Sequence, residues 1–224
     1  MLECLAEGLW VASAPQVFLG LHLGTRMTVI RLEGGGLLLH SPIAMSPELK
    51  SEIDRLGLVT HIVCPNLFHH LYAGDAKKAW PEALMFGPEK LHRKRRDLSF
   101  DGVFGQSTPH PDWSGLRLVS IGGTMLGETV ILHEASGSLV SVDLIENFTT
   151  SPHWFTRCYL KASGVHGKPG WSRLARWMYR DRKRARTDFE RLLELDFDRF
   201  VLAHGNIVET GGQQTLRQGL DWLL

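Results

Sequence analysis

The chain has 224 residues, which is enough for one sizeable core, and we expect a single domain over residues 1–224. Its 25 Lys and Arg against 24 Asp and Glu give a formal net charge of +1, so the overall charge predicts neither a nucleic-acid-binding nor a membrane-surface protein. Three scattered cysteines cannot form a disulfide framework, the first residues lack a basic leader, and no apolar run reaches the roughly 20 residues that span a bilayer. We therefore expect a cytoplasmic protein with no membrane partner.

The first half of the chain predicts strands with one well-marked helix among them. MTVIRL and LLLHSP flank glycines 34–36 and predict a hairpin. Ser46 as N-cap, Pro47 at the first helical position and Gly57 at the end predict a helix over SPELKSEIDRLG. The next segment, VTHIVCP, is apolar at consecutive positions, which predicts a strand buried on both faces. A second helix is expected from near Leu71 to Trp80.

The second half predicts more strands and then helices. LRLVSIGG, ETVILHEA and SLVSVDLI are strand-like, with a tight hairpin around Ala135 to Gly137. Residues from about 152 to 195 have a helical pattern, RFVLAHGN is one more buried strand, and GGQQTLRQGLDWLL predicts a closing helix. This order predicts an α/β protein with an αββα architecture, in which two mixed β-sheets are flanked by helices.

Polar side chains at three predicted strand ends indicate a metal site. His69 and His70 follow the first buried strand, Asp143 lies in SLVSVDLIEN, and His204 lies in RFVLAHGN. If these strand ends meet at one sheet edge, where ligands bind in open α/β folds, imidazoles and a carboxylate come together. That ligand set suits zinc or iron.

Each residue taken alone has a simpler explanation. Adjacent histidines on a regular strand point to opposite faces, so His69 and His70 need not share a ligand. Asp143 could cap a helix, and HGN could be an ordinary turn after a strand. The co-occurrence of all three groups at the ends of buried strands is what favours the metal site.

Three segments resemble a known family. PNLFHHLYAGD, SGSLVSVDLIEN and VLAHGN are similar to motifs of the metallo-β-lactamase-like superfamily, and more closely of an uncharacterised bacterial branch, a domain of unknown function. The resemblance spans about residues 8 to 210 and is weakest over 152–195, which we interpret as a helical insertion in the single domain.

The resemblance implies that one of two family metal sites is missing. The family has a His-x-His-x-Asp-His loop, a middle histidine, a bridging aspartate and a final histidine. Here Pro65 and Leu67, or Asn66 and Phe68 if the register slips by one, replace the first two loop histidines. Only Gly122, Gly123 and Thr124 are available for the middle histidine. Every position of the second site holds a plausible ligand: His69, which replaces the loop aspartate, His70, Asp143 and His204.

We therefore expect a metal-dependent hydrolase with a degenerate, single-metal site and a small-molecule substrate that the sequence does not identify; a basic patch near the site would favour an anionic one. Four protein ligands would close a tetrahedral zinc shell, whereas two histidines with Asp143 would leave open positions and also suit iron. Zinc is our first choice and iron the second. The alternative is a non-catalytic member of the fold that acts as a binding module.

Two basic segments raise a third alternative. KLHRKRR and RWMYRDRKRAR concentrate positive charge, as a surface for nucleic acid or anionic lipid would. The usual explanation is a solvated helix face. Leu174, Trp177 and Met178 repeat at helical spacing, which predicts that the aromatic residues Trp177 and Tyr179 pack inward and the arginines face water. A nucleic-acid partner therefore ranks below the other two functions.

Overall fold

The computed structural model describes residues 1–104 and 113–224. Its strands are β1 (Glu3–Ala6), β2 (Leu9–Ala14), β3 (Val17–Phe18), β4 (Leu21–His22), β5 (Thr25–Arg31), β6 (Leu37–His40), β7 (Val59–Val63), β8 (Leu84–Pro88), β9 (Gly102–Phe104), β10 (Leu116–Ser120), β11 (Thr129–His133), β12 (Ser138–Val140) and β13 (Arg199–Val201). Its helices are α1 (Pro47–Leu56), α2 (Ala73–Ala79), α3 (Glu89–Lys94), α4 (Trp154–Ser163), α5 (Arg173–Trp177), α6 (Arg182–Leu192) and α7 (Gly212–Gly219).

The strands form two main sheets. Within the described ranges, one sheet has seven strands in the order β1-β2-β5-β6-β7-β8-β9, and the other has four in the order β10-β11-β12-β13. The first sheet is antiparallel from β1 to β6 and parallel from β6 to β9. The second is antiparallel except where β12 runs parallel to β13. A separate small hairpin joins β3 to β4.

Alternating side chains sort the strands into layers. Ile30 and Leu38 of the first sheet pack with Ile131, Val140 and Val201 of the second, so these residues lie between the sheets. Neighbouring residues on the same strands face outward instead. The outward faces of the first sheet pack against α1, α2 and α3, and those of the second sheet pack against α5, α6 and α7. The predicted αββα sandwich is confirmed.

The best local predictions concern elements with explicit end signals. Ser46 Oγ accepts a hydrogen bond from the Leu49 N–H (3.2 Å), and α1 ends just before Gly57, as the capping pattern predicts. The hairpin of β5 with β6 and the tight turn that ends at Gly137 are also present. None of the helices in the described parts of the chain has the length and apolar character needed to cross a membrane.

The inward packing predicted for the two aromatic residues in and after α5 is confirmed for Tyr179 and wrong for Trp177. Leu174 and Trp177 are exposed, whereas Ala175 and Tyr179 are buried. Because Ala175 and Tyr179 are four residues apart, they share the face that meets the core, and the helix is rotated from the predicted register. The Arg180 guanidinium lies over the exposed Trp177 ring, 3.6 Å from its centroid.

Candidate metal centre

Three strand ends bring polar side chains to one edge of the sandwich. His69 lies in the loop after β7 of the first sheet, while Asp143 and His204 follow β12 and β13, which run side by side in the second sheet. Parallel neighbours end at the same edge, so the last two residues are adjacent for topological reasons. The cluster therefore joins loops from both sheets.

The ligand-type atoms of these three residues form a small triangle. His69 Nε2 lies 3.1 Å from His204 Nε2 and 3.4 Å from Asp143 Oδ1, and His204 Nε2 lies 3.5 Å from the same oxygen. All three side chains are partly buried. In the described residues this is the one group of three or more His, Cys, Asp or Glu whose candidate ligand atoms lie within 4.8 Å of one another.

The far side of each imidazole ring has a fixed partner. His204 Nδ1 lies 2.7 Å from the Gly24 carbonyl oxygen, to which it must donate, so its Nε2 lone pair points into the triangle. His69 Nδ1 lies 2.8 Å from Ser41 Oγ. Ser41 has a φ of 57°, an uncommon conformation for a residue with a side chain.

His70 lies outside the triangle. Its Nδ1 accepts a hydrogen bond from Arg95 Nη1 (2.9 Å), which also donates to the His70 carbonyl oxygen (3.0 Å). Burial and the nearby Lys94 and Arg95 lower the pKa of His70 to about 4, so its ring is neutral at pH 7. The structure thus brings together three of the four residues named from the sequence and turns the fourth toward an arginine.

Asn66 explains why two adjacent histidines point in different directions. Its Oδ1 accepts hydrogen bonds from the backbone N–H groups of Phe68 (2.8 Å) and His69 (2.9 Å), which bends the chain into a tight turn. Its Nδ2 donates to Asp143 Oδ2 (2.7 Å). One buried amide therefore shapes the His69 loop and also holds the aspartate.

Glu128, which belongs to none of the three motifs, organises the other loop. Its carboxylate accepts hydrogen bonds from Ser141 Oγ (2.7 Å) and from the backbone N–H groups of Val142 (2.8 Å) and Asp143 (3.0 Å). Asn66 Nδ2 lies 3.4 Å from its second oxygen. The signal that could have identified it is an acidic residue placed directly before the buried strand TVILH.

The electrostatics of the cluster follow from burial and from opposite charges. Burial opposes the charged form of Asp143, but His69, His204 and Asn66 together hold the pKa of Asp143 below its ordinary value. Burial likewise opposes protonation of His69, yet the adjacent Asp143 carboxylate raises its pKa. Burial and His69 lower the pKa of His204. Burial and the nearby Asp143 raise the pKa of Glu128 to about 7.

The loop that contains Gly122 and Gly123 is held by backbone contacts. The Gly122 N–H donates to Asp188 Oδ2 (2.9 Å), and the Gly123 carbonyl oxygen accepts from the N–H groups of Arg180 and Asp181. A side chain at Gly123 would collide with the backbone at Asp181, since an ideal Cβ there would lie 2.0 Å from its carbonyl oxygen. The start of α6 therefore fills the space beside this loop.

Comparison with known proteins supports the fold. A metallo-β-lactamase from Pontibacter korlensis superposes with a TM-score of 0.69 at 16% identity, covering 100% of this chain and 98% of its own. One from Hirschia baltica gives a TM-score of 0.67 at 13% identity, covering 98% of this chain and 95% of its own. FIM-1 from Pseudomonas aeruginosa, solved in a mono-zinc form, gives 0.65 at 12% identity, covering 97% and 93%. The chain therefore has the metallo-β-lactamase fold.

Sequence comparison adds a narrower finding. A family model described as a domain of unknown function, DUF4336, matches residues 6–93. These residues include β2 to β8 and the loop that carries His69. No curated protein is significantly similar in sequence.

Proposed function

We propose that the protein is a metal-dependent hydrolase that holds one metal ion, zinc before iron, between His69, Asp143 and His204 and acts on a small molecule. The observation that carries this proposal is the triangle of nitrogen and oxygen atoms, with sides of 3.1, 3.4 and 3.5 Å, in the described strand-end loops. The metallo-β-lactamase fold of the chain is in keeping with such chemistry.

The residues fit a zinc ion on geometric grounds. Ligands about 2.0–2.2 Å from a tetrahedral zinc ion are separated from each other by roughly 3.3–3.6 Å. The separations in the triangle are close to this spacing, and the hydrogen bond from His204 Nδ1 to Gly24 leaves Nε2 free to bind. A metal ion would also neutralise a carboxylate whose partners already favour its charged form.

Three protein ligands suit catalysis better than four. A structural zinc site is closed by four protein ligands, whereas a catalytic one keeps a position for water. With His70 held by Arg95, the set is two histidines and one carboxylate. A bound metal would supply a water of lowered pKa and polarise a carbonyl or phosphoryl oxygen. The chain's own contribution is to fix the rings through Gly24 and Ser41 and the carboxylate through Asn66.

The basic segments give little support for a nucleic-acid partner. Several of their arginines are neutralised by nearby acids, in the pairs Arg93–Glu89, Arg95–Asp97, Arg184–Asp188 and Arg186–Glu190. A charge paired in this way contributes less to a field that attracts phosphates. We therefore retain a small molecule as the proposed substrate.

Metal content tests the proposal first. Protein purified without an affinity tag or chelator should contain about one zinc or iron per chain by elemental analysis, since the triangle offers a single position. A His69→Ala, His204→Ala double variant should lose it. His133→Ala is the matched control, because His133 lies at the far end of β11 and bonds Ser136 Oγ (2.7 Å).

Two further results would revise the proposal. Loss of metal in His70→Ala would show that His70 swings in as a fourth ligand, as the family resemblance implies. Wild-type protein that stays metal-free, even after incubation with zinc or iron, would leave the non-catalytic binding module instead. If metal is present, the loaded protein should be assayed against ester, phosphodiester and β-lactam chromogenic substrates, with the double variant as the blank.

A further inference from the structure

Exposed apolar side chains form a ridge beside the candidate metal centre. The residues of this hairpin–α4 ridge are Val17, Phe18, Leu19, Trp154 and Phe155, from the turn between β3 and β4 and from the first turn of α4. Leu19 is 82% exposed and Trp154 is 70% exposed. Side chains this large and this exposed, gathered in one patch, indicate an interaction surface.

The two halves of the ridge are joined to each other. The His22 N–H donates to Thr156 Oγ1 (3.0 Å), and the rings of His22 and His153 stack with centroids 3.5 Å apart. Gly20 lies against the Phe155 ring, which an added Cβ would approach to 3.5 Å. The ridge is therefore one surface made of two segments.

The ridge is also fixed to the rim of the metal centre. Gly24, two residues after β4, accepts the hydrogen bond from His204 Nδ1. Gln16, just before β3, accepts one from the Tyr72 hydroxyl (3.1 Å), which belongs to the segment that follows His69. The hairpin that carries half of the ridge is therefore connected directly to the candidate metal centre.

The segments that build the ridge contain no acidic residue. Residues 8–32 and 147–180 lack Asp and Glu altogether, while the second range contains six cations: Arg157, Lys161, Lys168, Arg173, Arg176 and Arg180. Lys161, in the last turn of α4, and Lys168 are exposed. Arg157 and Lys161 lie on α4 itself, so the helix that carries half of the ridge has two cations and no acidic residue, which makes it complementary to a negative surface.

We propose that the hairpin–α4 ridge docks the protein on the surface of an anionic lipid bilayer, with the metal centre facing the headgroups. Leu19 and Trp154 are largely exposed, whereas a pocket for a small apolar ligand would enclose the side chains that bind it. Exposed Trp, Phe and Leu side chains next to lysines are the combination that enters the headgroup region of an anionic bilayer. The expectation of no membrane partner rested on net charge and on the lack of a spanning segment, neither of which reports on a local ridge.

Sedimentation with vesicles tests this inference, which does not depend on the proposed hydrolase activity. Vesicles of equal parts phosphatidylglycerol and phosphatidylcholine should bind the protein, and vesicles of phosphatidylcholine alone should bind it much more weakly. A Leu19→Ser, Trp154→Ser variant should bind the anionic vesicles at least about tenfold more weakly, since it removes two large apolar groups from the lipid contact. Lys161→Glu with Lys168→Glu should remove most of the preference for anionic vesicles.

Matched controls make the result decisive. Leu58 is 70% exposed at the start of β7, at the opposite end of the strand from the metal centre, so Leu58→Ser should leave binding unchanged. Circular dichroism should show that every variant is folded. Failure of wild-type protein to bind anionic vesicles, or equal binding by the ridge variant, would overturn the inference. Concentration-dependent dimerisation that only the ridge substitutions abolish would assign the ridge to a second copy of the chain.

Discussion

At the scale of single residues, the candidate centre depends on two side chains that would touch no metal. Asn66 shapes the turn that presents His69, and Glu128 collects the donors of the loop that presents Asp143. Because Asn66 Nδ2 faces both carboxylates, the two loops are linked to each other through it. Such residues set the position of a ligand rather than its identity.

Replacing Glu128 should therefore weaken metal binding without removing a ligand. In Glu128→Gln, one carboxylate oxygen becomes an NH₂ group that faces N–H or O–H donors, so the Asp143 loop loses part of its support. We expect zinc affinity to fall by about 10–100-fold, measured by competition with a chromophoric chelator.

Asp188→Asn is the control for this substitution. Asp188 is another buried carboxylate, and it accepts a hydrogen bond from the Gly122 N–H, but it lies on α6. The change should cost stability and leave zinc affinity within about a factor of two, since Asp188 contacts Gly122, Arg184 and Arg191, none of which is a candidate metal ligand. Unchanged zinc affinity in Glu128→Gln would contradict the positioning role.

At the scale of elements, helix α1 shows a local signal that determines structure by itself. Ser46 Oγ accepts from the Leu49 N–H and satisfies one of the donors that a helix start leaves unpaired. Ser46→Ala should lower the free energy of unfolding by about 1 kcal/mol, measured by urea denaturation. Ser51→Ala, at an exposed position inside the same helix, should change it by less than about 0.5 kcal/mol. Equal effects of the two substitutions would show that the cap contributes nothing specific.

The difference between local signals and long-range contacts explains which features could be predicted from the sequence. Caps, turns and buried apolar runs are local, so α1, the hairpin of β5 with β6, and the strand ends that carry Asp143 and His204 were predictable. The direction of His70 was not, because it depends on Asn66, whose side chain is shared between a local turn and an aspartate 77 residues away. The buried face of α5 was predicted wrongly for a related reason. The helix is short, so its buried face is decided by packing against Phe189, Trp222 and the rest of the surrounding core.

At the scale of the whole molecule, the candidate centre lies where the two halves of the sandwich meet. His69 follows a strand of the first sheet, and Asp143 and His204 follow strands of the second. A metal ion held by all three would link the sheets at this edge, in addition to the apolar layer between them. Its effect should then appear as global stability, because a ligand that binds only the folded state stabilises all of it.

Thermal unfolding with and without zinc measures this link. At free zinc about 1,000 times its Kd, folding should gain about 4 kcal/mol. For a chain of this size, that corresponds to a rise in Tm of roughly 8–16 °C over chelator-treated protein. His204→Ala should lose most of the rise in Tm, because only two of the three ligands remain to bind zinc. His133→Ala should keep the rise, since His133 bonds Ser136 at the far end of β11. A zinc-dependent rise in Tm that survives in His204→Ala would place the ion elsewhere. No rise in Tm of the wild-type protein would mean that the triangle is held together by its hydrogen bonds alone.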